Sequence, residues 1–307
     1  MNDFQLNYTA LQGAPSLVPA IELEHRLDVR LRPRNSEVND ARFLVHIHAF
    51  FMDQCRLLLK HLEVSCPNAD LLITTTSVRH RDELAALVRS THAASFRRNV
   101  EIMLVANRGR NVRPLLVDIR RHMVNYPYVL HLHTKESRAS GFGSEWFGDL
   151  IDCLVGSREH VRMITTAFAS NPKLGVVMPR TGRAIRPYAN WGGNFEMAQL
   201  LCNAVFPGRL LMVTAPLVFP AGMMFWFRPE ALQGLCQMAD LWSDAPYEPL
   251  PIDGSSLHAM ERLVAHACEA VGYEWSLCAP ESDIQLFEGV SAVHLSVWEP
   301  RHHEYIQ

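Results

Sequence analysis

Two clusters in this chain have residue types and spacing suited to chemistry. The first closes the run Tyr128-Val-Leu-His-Leu-His-Thr-Lys-Glu-Ser137, where His131, His133 and Lys135 follow an apolar stretch. The second is Asn107-Arg-Gly-Arg-Asn-Val-Arg113, which puts Arg108, Arg110 and Arg113 around a glycine. Arginine's planar fork holds phosphate oxygens in pairs, and glycine lets a ligand approach the backbone closely. Histidines two apart on a strand share a face, so His131 and His133, and likewise His46 and His48, could ligate zinc or iron. Lys135 argues against that second chemistry, because its ammonium would sit beside the cation. Lysine is otherwise scarce: Lys60, Lys135 and Lys173 stand against twenty-six arginines. The competing reading of both clusters is a strand edge with hydrogen-bonded histidines and solvated basic side chains.

Carboxylates for proton transfer are offered by Asp253 and Glu261. Asp253 precedes a predicted helix, where capping is the commonest role for aspartate, and from there it could also accept a proton from a hydroxyl. Glu261 lies farther along the same helix. Trp191, Phe225 and Trp226 could stack on a sugar, although aromatics in an apolar run compete for the core. Neither the Gly-x-x-x-x-Gly-Lys-Ser/Thr loop nor the Gly-x-Gly-x-x-Gly fingerprint is present.

The elements that must position these groups alternate. Phe43–Ala49 reads as a buried strand, and Leu71–Thr75, Glu101–Val105 and Tyr128–Leu132 as the strands that follow it. Between them lie a helix capped by Asp53, with Leu57, Leu58 and Leu62 on its apolar face, a helix over Arg81–Ser90, and one led by Pro114. Such alternation implies crossovers and a mostly parallel central sheet flanked by helices, with ligands gathered at the carboxyl ends of the strands. Farther on, Trp146–Phe168 reads as helical with an interruption at Gly156, Leu174–Met178 as a strand stopped by Pro179, and Met223–Phe227 as a strand closed by Arg228-Pro229. A last helix is predicted from Ser255 to Ala270. The expected organisation is an extension or sheet cover over 1–40, a nucleotide-binding half over 41–180, an acceptor-side half of the same domain over 181–275, and a C-terminal extension over 276–307.

A net charge of -3 gives no general reason to expect nucleic acid as a partner. Local basic patches remain at Arg97-Arg98, Arg108–Arg113 and Arg180–Arg186. The seven cysteines form no Cys-x-x-Cys pair, which favours a reducing compartment and argues against structural zinc. No signal peptide is evident, and no window approaches the roughly 18 consecutive apolar residues of a membrane span. The expectation is a cytoplasmic protein, open to peripheral association with the inner membrane.

Five ordered segments, Asn107–Leu116, Tyr128–Ser137, Trp191–Asn194, Phe219–Leu232 and Asp253–Leu263, resemble the motifs of the rhamnan synthesis protein F family. The resemblance covers about residues 42 to 275. It implies a bacterial glycosyltransferase with a GT-A-like nucleotide-sugar-binding fold, working on rhamnose-rich or related surface polysaccharides. Where many GT-A enzymes carry Asp-x-Asp to hold a divalent metal, this chain has His133 and Lys135. No cofactor is therefore expected, and dependence on magnesium or manganese has the missing motif against it. An ammonium and an imidazole can neutralise a departing diphosphate instead. The implied partners are a nucleoside-diphosphate sugar and a saccharide or lipid-linked saccharide acceptor, with a synthesis complex as a further association. Asp253, Lys135, His133 and Glu261 are the implied catalytic groups. His46, His48, Asn107, Arg108, Arg110, Arg113 and His131 would face the donor, and Trp191, Gly192, Gly193, Asn194, Gly222 and Trp226 the acceptor. The alternative is a non-catalytic nucleotide- or saccharide-binding subunit of a polysaccharide synthesis complex.

Overall fold

The computed structural model describes residues 42–90, 99–135, 143–182, 184–213, 217–242 and 245–280. The expected 1–40 extension, the Arg97-Arg98 patch and most of the expected C-terminal extension lie outside the described residues.

Seven strands form one mixed sheet in the order β3-β2-β1-β4-β6-β5-β7. They are β1 Leu44–His48, β2 Asp70–Thr75, β3 Val100–Leu104, β4 Val129–His133, β5 Leu174–Pro179, β6 Phe225–Phe227 and β7 Glu274–Cys278. β1 pairs in parallel with β2 and β4, β2 with β3, and β5 with β7. The short β6 is inserted antiparallel between β4 and β5. β7 straddles the 275/276 division expected from the sequence.

Strand alternation sorts the core onto the two faces of the sheet. Val45, Ile47, Leu71, Ile73, Leu130, Leu132, Val177 and Trp226 lie in one apolar cluster. On that side pack α1 (Met52–Ser65), α4 (Gly143–Val155) and α5 (Arg158–Ser170), the last two separated at Gly156-Ser157. Leu44, Leu72, Val129, Val176, Phe225 and Phe227 enter the opposite cluster. That cluster takes in residues of α6 (Phe195–Val205), α7 (Gln233–Asp240), α8 (Ser256–Arg262) and α9 (Val264–Ala270). Each fully buried Leu or Phe contributes about 1.5–3 kcal/mol, so this two-faced burial is what holds the sheet. α2 (Val78–Ser90) packs on β2 and β3, and a π turn, Pro114–Asp118, leads to the one-turn α3 (Arg120–Met123).

Several expectations are corrected. Asp53 is not a cap: Phe51 occupies that position without a capping side chain, and Asp53 sits in the first turn, bonded to Arg56 at 2.6 Å. Leu57 faces solvent, whereas Leu58 and Leu62 are buried. The last helix begins behind Ser255, whose side chain accepts the His258 N–H, so Ser255 rather than Asp253 is its cap; the helix then breaks at Leu263. β6 starts two residues late because Gly222 and Met223 hold φ of 93° and 53°, outside the extended region. α6, α7 and β7 had no counterpart in the sequence reading.

Candidate functional site

Register sets His46 opposite His131 and His48 opposite His133, on the face that carries Phe225. His46 Nε2 and His48 Nδ1 both share hydrogen bonds with Thr74 Oγ1, at 2.9 and 3.0 Å. His46 Nδ1 meets His131 Nδ1 at 2.9 Å, the rings stacked with centroids 4.9 Å apart. One proton between two nitrogens requires at least one bare lone pair, so the pair cannot be doubly protonated without breaking this contact. Burial holds His46 and His131 well below the usual imidazole value, His48 at about 3 and His133 at about 4. His46 and His131 are 0% exposed, which corrects the expectation that they face a donor; they are a polar ladder inside the sheet. His48 is nearly as buried.

The other end of the ladder is where the structure gathers His133, Gly222, Glu261 and Lys135. His133 Nε2 donates to the Gly222 carbonyl at 2.6 Å, and the Gly222 N–H donates to Glu261 Oε1 at 2.6 Å. A Cβ on residue 222 would meet Leu150 at 3.0 Å and the Trp146 ring at 3.3 Å, so glycine allows this close approach. The Lys135 ammonium lies 3.5 Å from the centroid of the same Trp146 ring. Gln54, on α1, clamps the Lys135 backbone from both sides, accepting its N–H at 2.6 Å and donating to its carbonyl at 2.5 Å. Burial lowers Lys135 to about 8; Glu261 opposes the shift and Arg110 adds to it. Lys135, Glu261, Gly222 and His133 are thus one connected group. Trp146 and Gln54 complete it, and both were missed by sequence reasoning: Gln54 comes from a helix 81 residues away and neither residue carries a motif.

The 107–113 loop is differently used than its composition suggests. Arg110 pairs with Glu248 at 2.6 Å and Arg113 with Asp118 at 2.9 Å, while the Arg108 guanidinium lies 3.3 Å from the Tyr247 ring centroid. The Gly109 N–H reaches the Pro246 carbonyl at 2.9 Å. Arg108, Arg110 and the Gly109 backbone therefore clasp the 245–250 segment, while Arg113 is tied to Asp118. Hydrogen bonding to Arg110 holds the Glu248 carboxyl below its ordinary range. Arg110 remains electrostatically close to both Lys135 and His258, and Asn107 is exposed.

Among the residues expected to face the acceptor, Asp253 Oδ1 accepts from Asn194 Nδ2 at 2.5 Å and Oδ2 from the Gly193 N–H at 3.0 Å. The Gly254 N–H returns a bond to Asn194 Oδ1 at 3.0 Å, and buried Arg262 stands 3.6 Å from Asp253. Burial pushes the Asp253 carboxyl upward, but these donors outweigh it and hold it below the ordinary value. Its side chain is still 42% exposed. Gly192 and Gly193 are exposed beside it. Trp191 is not a stacking wall: it is buried, stacked on His266 and bonded through Nε1 to the Met212 carbonyl. Trp226 is fully buried, its Nε1 bonded to the Leu154 carbonyl.

A divalent metal does not fit at the two motif positions. Lys135 is cationic, and both ring nitrogens of His133 face carbonyl oxygens, those of Thr134 and Gly222. Among the described residues no group of three or more His, Cys, Asp or Glu side chains could hold a metal ion. Among them, too, no helix is long and apolar enough to cross a membrane.

A family model described as rhamnan synthesis protein F matches residues 19–273. Two curated relatives are both called uncharacterized protein WxcX, from Xanthomonas campestris pv. campestris strains B100 and ATCC 33913. Each is 30% identical over 242 residues, covering 78% of this chain and 33% of its own. The chain thus spans about a third of the length of these relatives. Among solved structures, the mannosyltransferase PcManGT from Pyrobaculum calidifontis, in complex with GDP-Man and Mn2+, aligns with a TM-score of 0.44 at 12% identity. That alignment covers 81% of this chain and 61% of the other.

Proposed function

The chain belongs to the rhamnan synthesis protein F family, and from that premise we propose that it is a GT-A-like glycosyltransferase. The donor is a nucleoside-diphosphate sugar and the acceptor a growing bacterial surface polysaccharide, free or lipid-linked, with rhamnose among the candidate sugars. The observation that carries this reading is the half-buried Lys135 ammonium at the carboxyl end of β4, joined through Trp146 and Gly222 to Glu261 and His133.

In the proposed step the Asp253 carboxylate accepts the proton of an acceptor hydroxyl. The oxygen then bonds to the anomeric carbon while the bond from that carbon to the diphosphate oxygen breaks. Lys135 takes up the charge that develops on the leaving diphosphate, with Arg110 adding a second positive field; a fixed charge in a dry site is most effective there. Asp253 suits the base because it is ionised, half open to solvent and held by Asn194 and Gly193. Glu261 instead keeps Lys135 charged and the Gly222 turn in place. Residues 41–180 then form the donor half and 181–275 the acceptor half of one domain, with the reaction set in the cytoplasm at the inner-membrane surface.

The test is incubation with a panel of nucleoside-diphosphate sugars and saccharide acceptors, read by mass spectrometry, beside calorimetry with uridine, thymidine and guanosine diphosphates. A product heavier by one sugar is the expected result. No binding to any of the three nucleotides would overturn the proposal. The hold of Asn194, Gly193 and Arg262 on Asp253 favours one other reading, a non-catalytic binding subunit in which that carboxylate only anchors the loop. Nucleotide binding with neither transfer nor donor hydrolysis is its signature.

A further inference from the structure

We propose that Trp146 is a positioning residue of this site: its indole face holds the Lys135 ammonium in place until the diphosphate of the donor draws it away. The inference rests on the transfer reading and deepens it by naming what the lysine leaves when an anionic ligand arrives. Three observations meet at this ring. The ammonium lies 3.5 Å from its centroid. The ring edge rests against Gly222, where a Cβ would come within 3.3 Å. Gly222 in turn is bonded through its N–H to Glu261 and through its carbonyl to His133.

The physical logic is a matter of competing partners. A half-buried ammonium with no compensating group would tend to give up its proton or swing to solvent. The Glu261 carboxylate helps to keep this ammonium charged, and the negative face of the indole orients it without pairing with it. A diphosphate carries full negative charges and accepts charge-assisted hydrogen bonds from the ammonium, which outcompete the ring. Meanwhile Gln54 fixes the Lys135 backbone, so the side chain moves while its root stays in register with β4. A carboxylate in the place of Trp146 would pair too tightly to release the lysine, and an aliphatic side chain would leave it unheld.

Pyrophosphate and uridine, thymidine and guanosine diphosphates serve as probes, with affinity read by calorimetry and transfer by mass spectrometry. The proteins are the wild type, W146F, W146L, K135M and the W146L/K135M double variant. W146L is expected to weaken diphosphate binding about tenfold and W146F less than about threefold, because phenylalanine keeps a π face. In the double variant the W146L loss should vanish, since the ring acts through the lysine. Tryptophan emission should change saturably when pyrophosphate is added to the wild type, and should not in W146F or K135M. Equal affinities in all Trp146 variants, full additivity in the double variant, or unchanged wild-type emission while pyrophosphate binds would each overturn the proposal. Should W146L fail to fold, the emission of wild type against W146F decides alone. If K135M itself binds diphosphate as the wild type does, it is the transfer-site reading that fails.

Discussion

Asn194 donates its side-chain amide to Asp253 Oδ1 at 2.5 Å, across a gap of 59 residues in the chain. The second oxygen of the same carboxylate takes the Gly193 N–H, so two donors converge on one acceptor-only group. This changes what an isosteric replacement does. Asp253→Asn leaves a single acceptor oxygen and turns an NH2 toward one of the donors. Stability should fall by about 1–3 kcal/mol, the cost of an unsatisfied, partly buried polar contact. Thermal and urea unfolding read this directly. Transfer should drop by about 10² to 10⁴-fold as well, while diphosphate affinity stays within a few fold. Wild-type stability would show that the bonds to Asn194 and Gly193 are not what holds this loop.

Glu261→Gln separates the two carboxylates. Glutamine still accepts the Gly222 N–H, so folding changes little, but the negative charge that keeps Lys135 protonated is gone. The high-pH limb of transfer, set by Lys135 at about 8, should move to lower pH, and transfer at neutral pH should fall less than in Asp253→Asn. A larger loss in Glu261→Gln than in Asp253→Asn, with no movement of that limb, would make Glu261 the base.

Gly222→Ala places a Cβ 3.0 Å from Leu150 and 3.3 Å from Trp146, at a φ of 93° that an L-residue resists. The backbone strain alone costs about 1–3 kcal/mol. Because the same residue bonds to His133 and Glu261, diphosphate affinity should fall together with the unfolding midpoint. Ser or Ala at Gly208, where a Cβ meets nothing within 4 Å, gives the control for positive φ without crowding.

Acid should weaken the folded state before most carboxylates titrate. His46, His131, His48 and His133 are all held neutral by burial, so their folded values lie below the unfolded value of about 6.5. Above that pH the rings are neutral in both states and the fold keeps its full stability. Below it the unfolded chain binds protons that the folded chain refuses, and stability declines toward pH of about 4 for His133 and about 3 for His48. The unfolding free energy from urea titration should be level above about pH 6.5 and fall below it, approaching roughly 1.4 kcal/mol per pH unit for each ring withheld, with the urea midpoint falling alongside. A midpoint that stays flat below that pH contradicts a neutral ladder.

The parallel half of the sheet was legible because β1, β2 and β4 are largely apolar runs buried along their whole length, as burial on both faces requires; the edge strand β3 is at most partly buried, yet all four fall within a residue or two of their predicted spans. The histidines show where such reading stops. Periodicity correctly put His131 and His133 on one face, but it cannot say what covers that face. Phe225, arriving from β6 more than ninety residues later, helps to close it. The cap at Asp253 was misplaced because Ser255, two residues on, is an equally good cap and the sequence does not rank them. Trp146 and Gln54 were invisible for a different reason: their role depends on the position of Lys135, and nothing in their own neighbourhood marks it.

β6 has a consequence for the order of assembly. Among the described strands, β5 joins β4 through this three-residue strand, which is synthesised some fifty residues after β5. β1 to β4 can pair among themselves early, whereas β5 has no neighbour until residue 225 arrives and bridges it to the earlier strands. Non-local pairing of this kind is slow, so the nascent chain carries an exposed, apolar β5 edge for that interval. A chain halted near residue 220 should be protease-resistant in its first four strands and sensitive around Leu174–Pro179, and completing β6 should protect both at once.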